Sequence, residues 1–513
     1  MKIIVFSDSH IGGKFNEDTW VKGIENINKE DADYVVFTGD LTDQGTVADY
    51  ELAKKYMSSL KKDLLMIPGN HDVKNVGDLL WEEYIGPRFF VHIDADKKVK
   101  ILGLDSNEPD QDTGRMGPKA IKRIYEEFQD LSNEWIKILV FHHQTLPIKF
   151  TGRERSALVD AGDTIKAIMD CDINLVLNGH RHISNVYTLT DGDAKTLIVN
   201  CGTISCRKTR YKEQYSITSI EIDDTQENAK VDIMLLHEPE LKWTTSFQGS
   251  LREQKVPKHE FGSLIGTIIQ IGNTEFARGS SFDIEGYTEA IQLINHIECD
   301  LVVHNGDVTN NSYREEFEMA KNFLGLIEHN MVIVPGPRDY YPLGRELYRS
   351  YIGPSENEFE TGSMIVLGLN SCIMDEKIGR LGRSTSQLMA THLKSDERLS
   401  VIAFHHNIIP LSQTKHESEL QDAGDVLSII VDNKINLVLT GAKNKSGCWQ
   451  VNNTVFVNAG TISSRNVNTV KGNSFNVIQV YQTKKGKYYR IMEYFYQTKG
   501  SELIGEFHIY DAN

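Results

Sequence analysis

The first half of the chain alternates two kinds of segment. Runs 3–6, 34–38, 64–67, 99–104 and 136–141 are almost continuously apolar, the pattern of strands buried on both faces. Between them, 47–60 and 118–131 carry apolar residues at helical spacing and predict amphipathic helices. Further along, 197–200, 216–222 and 231–236 follow one another with no helical stretch between them. That order predicts an α/β sandwich of mixed sheets rather than a doubly wound parallel sheet.

The pattern then returns. Tyr34-Val35-Val36-Phe37-Thr38-Gly39-Asp40 reappears as Leu301-Val302-Val303-His304-Asn305-Gly306-Asp307, and Tyr84-Ile85-Gly86-Pro87 as Tyr351-Ile352-Gly353-Pro354. Phe141-His142-His143 reappears as Phe404-His405-His406, and Gly202-Thr203-Ile204-Ser205 as Gly460-Thr461-Ile462-Ser463. Matches in one order over nearly the whole length mark an internal repeat. The expected division is a domain at 1–238, a polar linker at 239–262 containing Pro239 and Pro257, and a second copy at 263–513.

At 513 residues the chain exceeds what one core organises. No apolar run is long enough to cross a bilayer. The chain opens directly on a buried strand, so no export signal is expected, and the six cysteines, lacking zinc-like pairing, read as free thiols in a reducing cytoplasm. A net charge of −17 opposes non-specific binding to duplex nucleic acid or an anionic membrane. It leaves room for a small phosphate substrate, because bound metal ions set their own local field.

The chemistry stands where apolar strands end: Asp8-Ser9-His10, Gly39-Asp40, Gly69-Asn70-His71-Asp72, His142-His143 and Gly179-His180-Arg181-His182. Carboxylate, imidazole and amide oxygen together suit divalent Mn, Fe, Zn or Co. Two such ions about 3.5–4 Å apart can clamp a phosphate.

These five motifs, in this order, resemble the calcineurin-like metallophosphoesterases. The resemblance implies a four-layer αββα sandwich, here present twice in tandem. It also implies that Asp8, His10, Asp40 and His182 hold one metal ion and that Asp40, Asn70, His142 and His180 hold a second, with Asp40 bridging. His71 would then stabilise or protonate the leaving oxygen and Asp72 would orient it. Gly39-Asp40-Leu41-Thr42-Asp43, Leu104-Asp105-Ser106 and the histidine pair are most similar to the cyclic-nucleotide phosphodiesterase branch, which includes glycerophosphodiesterases. His143, Arg153 and Arg207, beside or after these motifs, are candidates to contact substrate.

In the second copy the framework persists while the ligands change. Gly272-Asn273-Thr274 stands near the counterpart of Asp8-Ser9-His10, Pro337-Arg338 replaces Asn70-His71, and Ala442-Lys443-Asn444 replaces His180-Arg181-His182. Only Asp307 and His405 are read as remaining at ligand positions, so this copy is expected to be catalytically silent and to pair with the first within the molecule.

The expected function is hydrolysis of a phosphate diester, such as a cyclic nucleotide or a glycerophosphodiester, by in-line attack of a metal-bound hydroxide. Alternatives are a phosphomonoesterase or nuclease of the same fold, or a nucleotide-binding regulator acting through the second copy.

Overall fold

The computed structural model describes residues 1–150, 157–210, 214–253, 262–279, 281–393, 398–413, 420–467 and 470–511. The chain divides into two compact units, Met1–Gln254 with Pro410–Gln413, and Lys255–Ile409 with Thr414–Asn513.

In the first unit, one sheet runs in the order β12 (Trp243–Ser250), β11 (Asn228–Leu235), β10 (Ser216–Ile222), β1 (Lys2–Phe6), β2 (Tyr34–Phe37) and β3 (Leu64–Met66). The other runs β8 (Asn185–Thr190), β9 (Lys195–Asn200), β7 (Leu175–Asn178), β6 (Ile136–Val140), β5 (Val99–Gly103) and β4 (Phe90–Asp94). The continuous apolar runs are explained by what lies on each face. Ile3 and Val5 point into a core shared with Ile138, Val140 and Leu177 of the facing sheet. Ile4 and Phe6, on the opposite face of the same strand, pack beneath Trp20, Ile24, Tyr50 and Trp81. Those residues belong to α1 (Glu17–Lys29), α2 (Val47–Met57) and α3 (Gly77–Tyr84). α4 (Gly117–Phe128) and α5 (Ala161–Asp170) contact each other, and α5 contacts β9, which completes the αββα layering. Truncating an inter-sheet residue such as Ile138 to Ala would cost about 2–5 kcal/mol.

β1, β2 and β3 pair in parallel, as do β5, β6, β7 and β9 in sequence across their sheet. Parallel pairing sends their carboxyl ends to one edge. The register makes this sharp: Phe6 lies opposite Phe37, and Val140 opposite Leu177. The loops that follow therefore leave the sheets side by side.

The second unit repeats this plan. One sheet runs β15 (Met331–Ile333), β14 (Leu301–His304), β13 (Ser263–Ile271), β22 (Phe475–Thr483), β23 (Gly486–Phe495) and β24 (Gly500–Tyr510). The other runs β16 (Asn357–Glu360), β17 (Met364–Gly368), β18 (Leu399–Ala403), β19 (Leu437–Thr440), β21 (Thr454–Asn458) and β20 (Gly447–Val451). The helices are α6 (Ile284–His296), α7 (Arg314–Leu324), α8 (Gly344–Tyr351), α9 (Gly382–His392) and α10 (Ala423–Asp432). Strand for strand, the order is that of the first unit.

The stretch 239–262, read from sequence as a linker, contributes β12, which pairs antiparallel with β11. Thr244, Thr245 and Ser246 are exposed along it, and a strand with solvent along one side needs few apolar residues. Among the described residues no helix is long and apolar enough to cross a membrane, and all six cysteines are free thiols.

Candidate metal centre

Each strand end delivers its ligand-type residue to the common edge. Asp8 and His10 follow β1, Asp40 follows β2, Asn70 and His71 follow β3, His142 follows β6, and His180 and His182 follow β7. Asp8, His10, Asp40, His180 and His182 all adopt left-handed backbone, with φ of 56°, 48°, 59°, 73° and 58°. Non-glycine residues held there cost about 1–3 kcal/mol each and cluster at functional sites. Cross-loop hydrogen bonds hold them: Asp8 N–H donates to Gly39 O at 2.9 Å and His10 N–H to Asp40 O at 3.0 Å. Glycine is required at position 69, where a Cβ would collide with the Asp40 carboxylate and its own amide.

The side chains form two donor clusters that share one carboxylate. Asp8, His10, Asp40 and His182 present ligand atoms all within 4.8 Å of one another, as do Asp40, His142 and His180. Asp40 Oδ2 lies 3.4 Å from His10 Nε2 and 3.3 Å from His142 Nε2. Its Oδ1 accepts the His71 N–H at 2.8 Å, which fixes the rotamer. Asn70 Oδ1 stands 3.2 Å from His142 Nε2 and 2.9 Å from His180 Nδ1. His10 Nε2 and His182 Nε2 face each other at 3.1 Å. Asp8 Oδ1 is buried without a hydrogen bond. Lone pairs converging in this way fit divalent cations.

The backbone sets which imidazole nitrogen is free. His142 Nδ1–H donates to Thr38 O at 2.8 Å and His182 Nδ1–H to Lys208 O at 2.7 Å, so both present Nε2 to the centre. Without metal the cluster holds protons instead. Burial opposes charge on His142, but Asp40 outweighs it and the pKa rises to about 9. Burial likewise opposes charge on His182, and Asp8 raises it to about 9. His180 moves the other way, well below the ordinary value, through burial and the neighbouring His143 and His142.

His71 and Asp72 differ from the sequence reading. The Asp72 carboxylate does not orient the imidazole. It accepts the backbone N–H of Leu41 at 3.0 Å, Thr42 at 2.7 Å and Gly69 at 2.9 Å, and the Thr42 hydroxyl at 2.9 Å. It is a buried clamp between two ligand loops. His71 is held instead by the Asp43 carbonyl, which accepts Nδ1–H at 2.6 Å, while Lys74 Nζ stands 3.3 Å from Nε2. Burial lowers its pKa to about 4, against the attraction of Asp40.

Of the residues expected to contact substrate, Arg153 lies outside the described residues. Arg207 is exposed, and a cavity of about 410 Å³ over the centre is lined instead by its neighbours Lys208 and Arg210, with Lys14, Asp112, Thr113 and Arg181. His143 is buried, with Nδ1 2.9 Å from Ser106 Oγ. The second unit repeats that pair as His406 and Ser371 at 2.8 Å, which marks it as framework. Cys206, read only as a free thiol, lies buried beside His10 and His182, the three ligand atoms within 4.8 Å of one another. Its thiol is drawn down to about 6: burial pushes it up, and the two imidazoles override this.

Residues 1–184 match the profile of the calcineurin-like phosphoesterases. That match makes the first unit similar to the calcineurin-like phosphoesterases. The chain is 30% identical over 162 residues to the "Probable glycerophosphodiester phosphodiesterase GpdQ" of Arcobacter nitrofigilis, a match covering 29% of this chain and 58% of that one. It is 24% identical over 166 residues to the "Probable cyclic nucleotide phosphodiesterase" of Ruthia magnifica, covering 31% and 67%. A like-named protein of Vesicomyosocius okutanii is 24% identical over 188 residues, covering 35% and 78%. The chain thus spans little more than half the length of the first of these relatives.

The second unit carries the framework of the first with other side chains. Asn273 N–H donates to Gly306 O at 3.0 Å and Glu275 N–H to Asp307 O at 3.0 Å. The counterpart of Asp8-Ser9-His10 is therefore Asn273-Thr274-Glu275, one residue beyond the sequence reading, and a third ligand-type residue, Glu275, stands at the His10 position. Arg338 fills the space a cation would take, its Nε 3.6 Å from Glu275 Oε1 and 3.5 Å from Asp307 Oδ2. Asn444 Nδ2 donates to Glu275 at 3.1 Å. Among the described residues, the clusters able to hold a metal all lie in the first unit.

Proposed function

We propose that the first unit is a metal-dependent phosphodiesterase with a dinuclear centre, acting on a small diester such as a cyclic nucleotide or a glycerophosphodiester. The observation that carries this is Asp40 Oδ2, which faces one imidazole of each donor cluster at 3.4 and 3.3 Å. Asp8, His10, Asp40 and His182 would hold one ion, and Asp40, Asn70, His142 and His180 the other. Two bound divalent ions supply Lewis-acid charge and an activated water.

The chain's own groups supply position and charge around that pair. Lys14, Arg181, Lys208 and Arg210 ring the cavity with positive charge, which favours an anionic ester. His71, neutral and fixed by the Asp43 carbonyl, lines the cavity, and the Lys74 ammonium stands against its ring, 3.4 Å from Nδ1 and 3.3 Å from Nε2, where it would support negative charge on a leaving oxygen. The cavity suits a small ligand better than a polymer. The matched relatives carry the names of phosphodiesterases for such substrates.

The second unit is catalytically silent in this reading, because the guanidinium of Arg338 neutralises the carboxylates that a metal would need.

The test is Mn²⁺-dependent hydrolysis of bis-p-nitrophenyl phosphate against p-nitrophenyl phosphate, with Asn70→Ala beside the native chain. Faster turnover of the diester, abolished by the substitution, is the expected result. Preference for the monoester would make the unit a phosphatase, and turnover indifferent to Asn70→Ala would remove the centre from the reaction.

A further inference from the structure

Cys206 sits where a structural thiol has no evident reason to be. Its ligand atom and those of His10 and His182 lie within 4.8 Å of one another, and all three residues are buried. The loop carrying it is tied to the ligand loop after β1. Cys206 N–H donates to Thr203 Oγ1 at 2.7 Å, and that hydroxyl donates to the Asp8 carbonyl at 2.6 Å. On its other side, Arg207 N–H donates to Lys14 O at 2.8 Å.

The second unit shows the same aim with different atoms. Ser464 occupies the position of Cys206, its N–H donating to Thr461 Oγ1 at 2.9 Å. Its hydroxyl donates to Glu275 Oε2 at 2.8 Å, and Glu275 stands where His10 stands in the first unit. In both units this side chain addresses the group at the His10 position. In the first, the buried Asp8 Oδ1 takes no hydrogen bond, and Asp8 shares His10 and His182 with Cys206 as common neighbours.

We propose that Cys206 Sγ is a further ligand of the ion held by Asp8, His10, Asp40 and His182. That ion would then see sulfur, nitrogen and oxygen, whereas the ion between Asp40, Asn70, His142 and His180 sees nitrogen and oxygen alone. On coordination the thiol releases its proton to solvent. Thiolate is a soft donor, so the first position prefers zinc, iron or cobalt while the second accepts manganese readily. The two ions in one centre are then of different kinds. The inference rests on the metal-centre reading given above.

X-ray absorption on the zinc-loaded full-length chain tests it. The expected result is a sulfur shell at about 2.3 Å beside nitrogen and oxygen at about 2.0–2.1 Å, with the sulfur shell lost in Cys206→Ser. Zinc affinity of that variant should fall about tenfold. In the cobalt-loaded chain, a near-ultraviolet thiolate-to-cobalt charge-transfer band should vanish with the same substitution. Cys206→Ala replaces the serine variant should that one not fold. Zinc bound with no sulfur shell overturns the proposal and leaves the metal centre standing, as does a sulfur shell that survives in Cys206→Ser. Failure of the native chain to bind zinc, manganese or cobalt at all overturns both.

Discussion

Arg338 Nε lies 3.6 Å from Glu275 Oε1 in the second unit, two residues occupying the places that His71 and His10 fill in the first. The guanidinium also reaches Asn310 Oδ1 at 2.6 Å through a terminal nitrogen. Removing one partner of such a group leaves charge uncompensated. Arg338→Leu should therefore destabilise the second unit by about 3–5 kcal/mol, and adding Glu275→Gln should recover part of the loss. Urea unfolding read in that unit checks this, and an unmoved midpoint would count against the ion pair.

The protons held by the first unit predict a pH dependence in the metal-free chain. His142 and His182 stand at about 9 when folded, against about 6.5 when unfolded. Their contribution to stability is complete below the unfolded value and is lost as pH rises through the folded one. The chelated chain should melt at a lower temperature at pH 9.5 than at pH 6.5, by this signed difference. Metal must displace the same protons, so metal affinity should climb with pH toward about 9. Calorimetry in buffers of different ionisation enthalpy would register the released protons, and equal enthalpies in all of them would contradict the proton-loaded cluster.

Asp72 and Asp339 permit a separation of framework from chemistry. Asp339 accepts the N–H groups of Val308, Thr309 and Gly336 at 3.0, 2.7 and 2.9 Å and the Thr309 hydroxyl at 2.9 Å, repeating the bonds of Asp72. Each buried donor left unpaired costs about 1–3 kcal/mol. Asp339→Ala should thus lower stability by about 3 kcal/mol or more while leaving phosphodiester turnover intact. Asp72→Ala should lower both, measured by unfolding and by turnover on the same preparations.

Lys74 offers a test confined to the reaction. Replacing it by Met keeps the stem and removes the ammonium beside His71 Nε2, so kcat should fall about 10²-fold with metal content unchanged. Lys208→Ala, at the cavity rim, should mainly raise KM. A matching fall in metal content would reassign Lys74 to holding the centre together.

The strands and their order were legible because continuous apolar runs need two buried faces, and Ile3 through Phe6 have them. The convergence of Asp8, His10, Asp40, Asn70, His142, His180 and His182 was legible because each follows the end of a strand. Glu275 was missed because its equivalence to His10 depends on the cross-loop bonds to Asp307, which no local similarity reveals. Asp72 was misread since its clamp is built entirely of backbone groups. Cys206 escaped for a related reason: its partners, His10 and His182, come from other loops, whereas sequence inspection looks for closely spaced pairs. β12 escaped because Thr244 and Thr245 give an edge strand the composition of a loop.

Left-handed backbone persists in the second unit at Asn273, Glu275, Asp307 and Asn444, with φ of 51°, 47°, 51° and 51°, and moves from the His180 position to the next residue, Lys443, at 77°. Within that frame the carboxylates of Glu275 and Asp307 face Arg338, a cation that is covalently part of the chain. Starving the molecule of divalent ions would therefore touch its halves unequally. The first would exchange its metal counter-charge for protonated imidazoles and lose its chemistry, while the second carries its own cation whatever the metal supply.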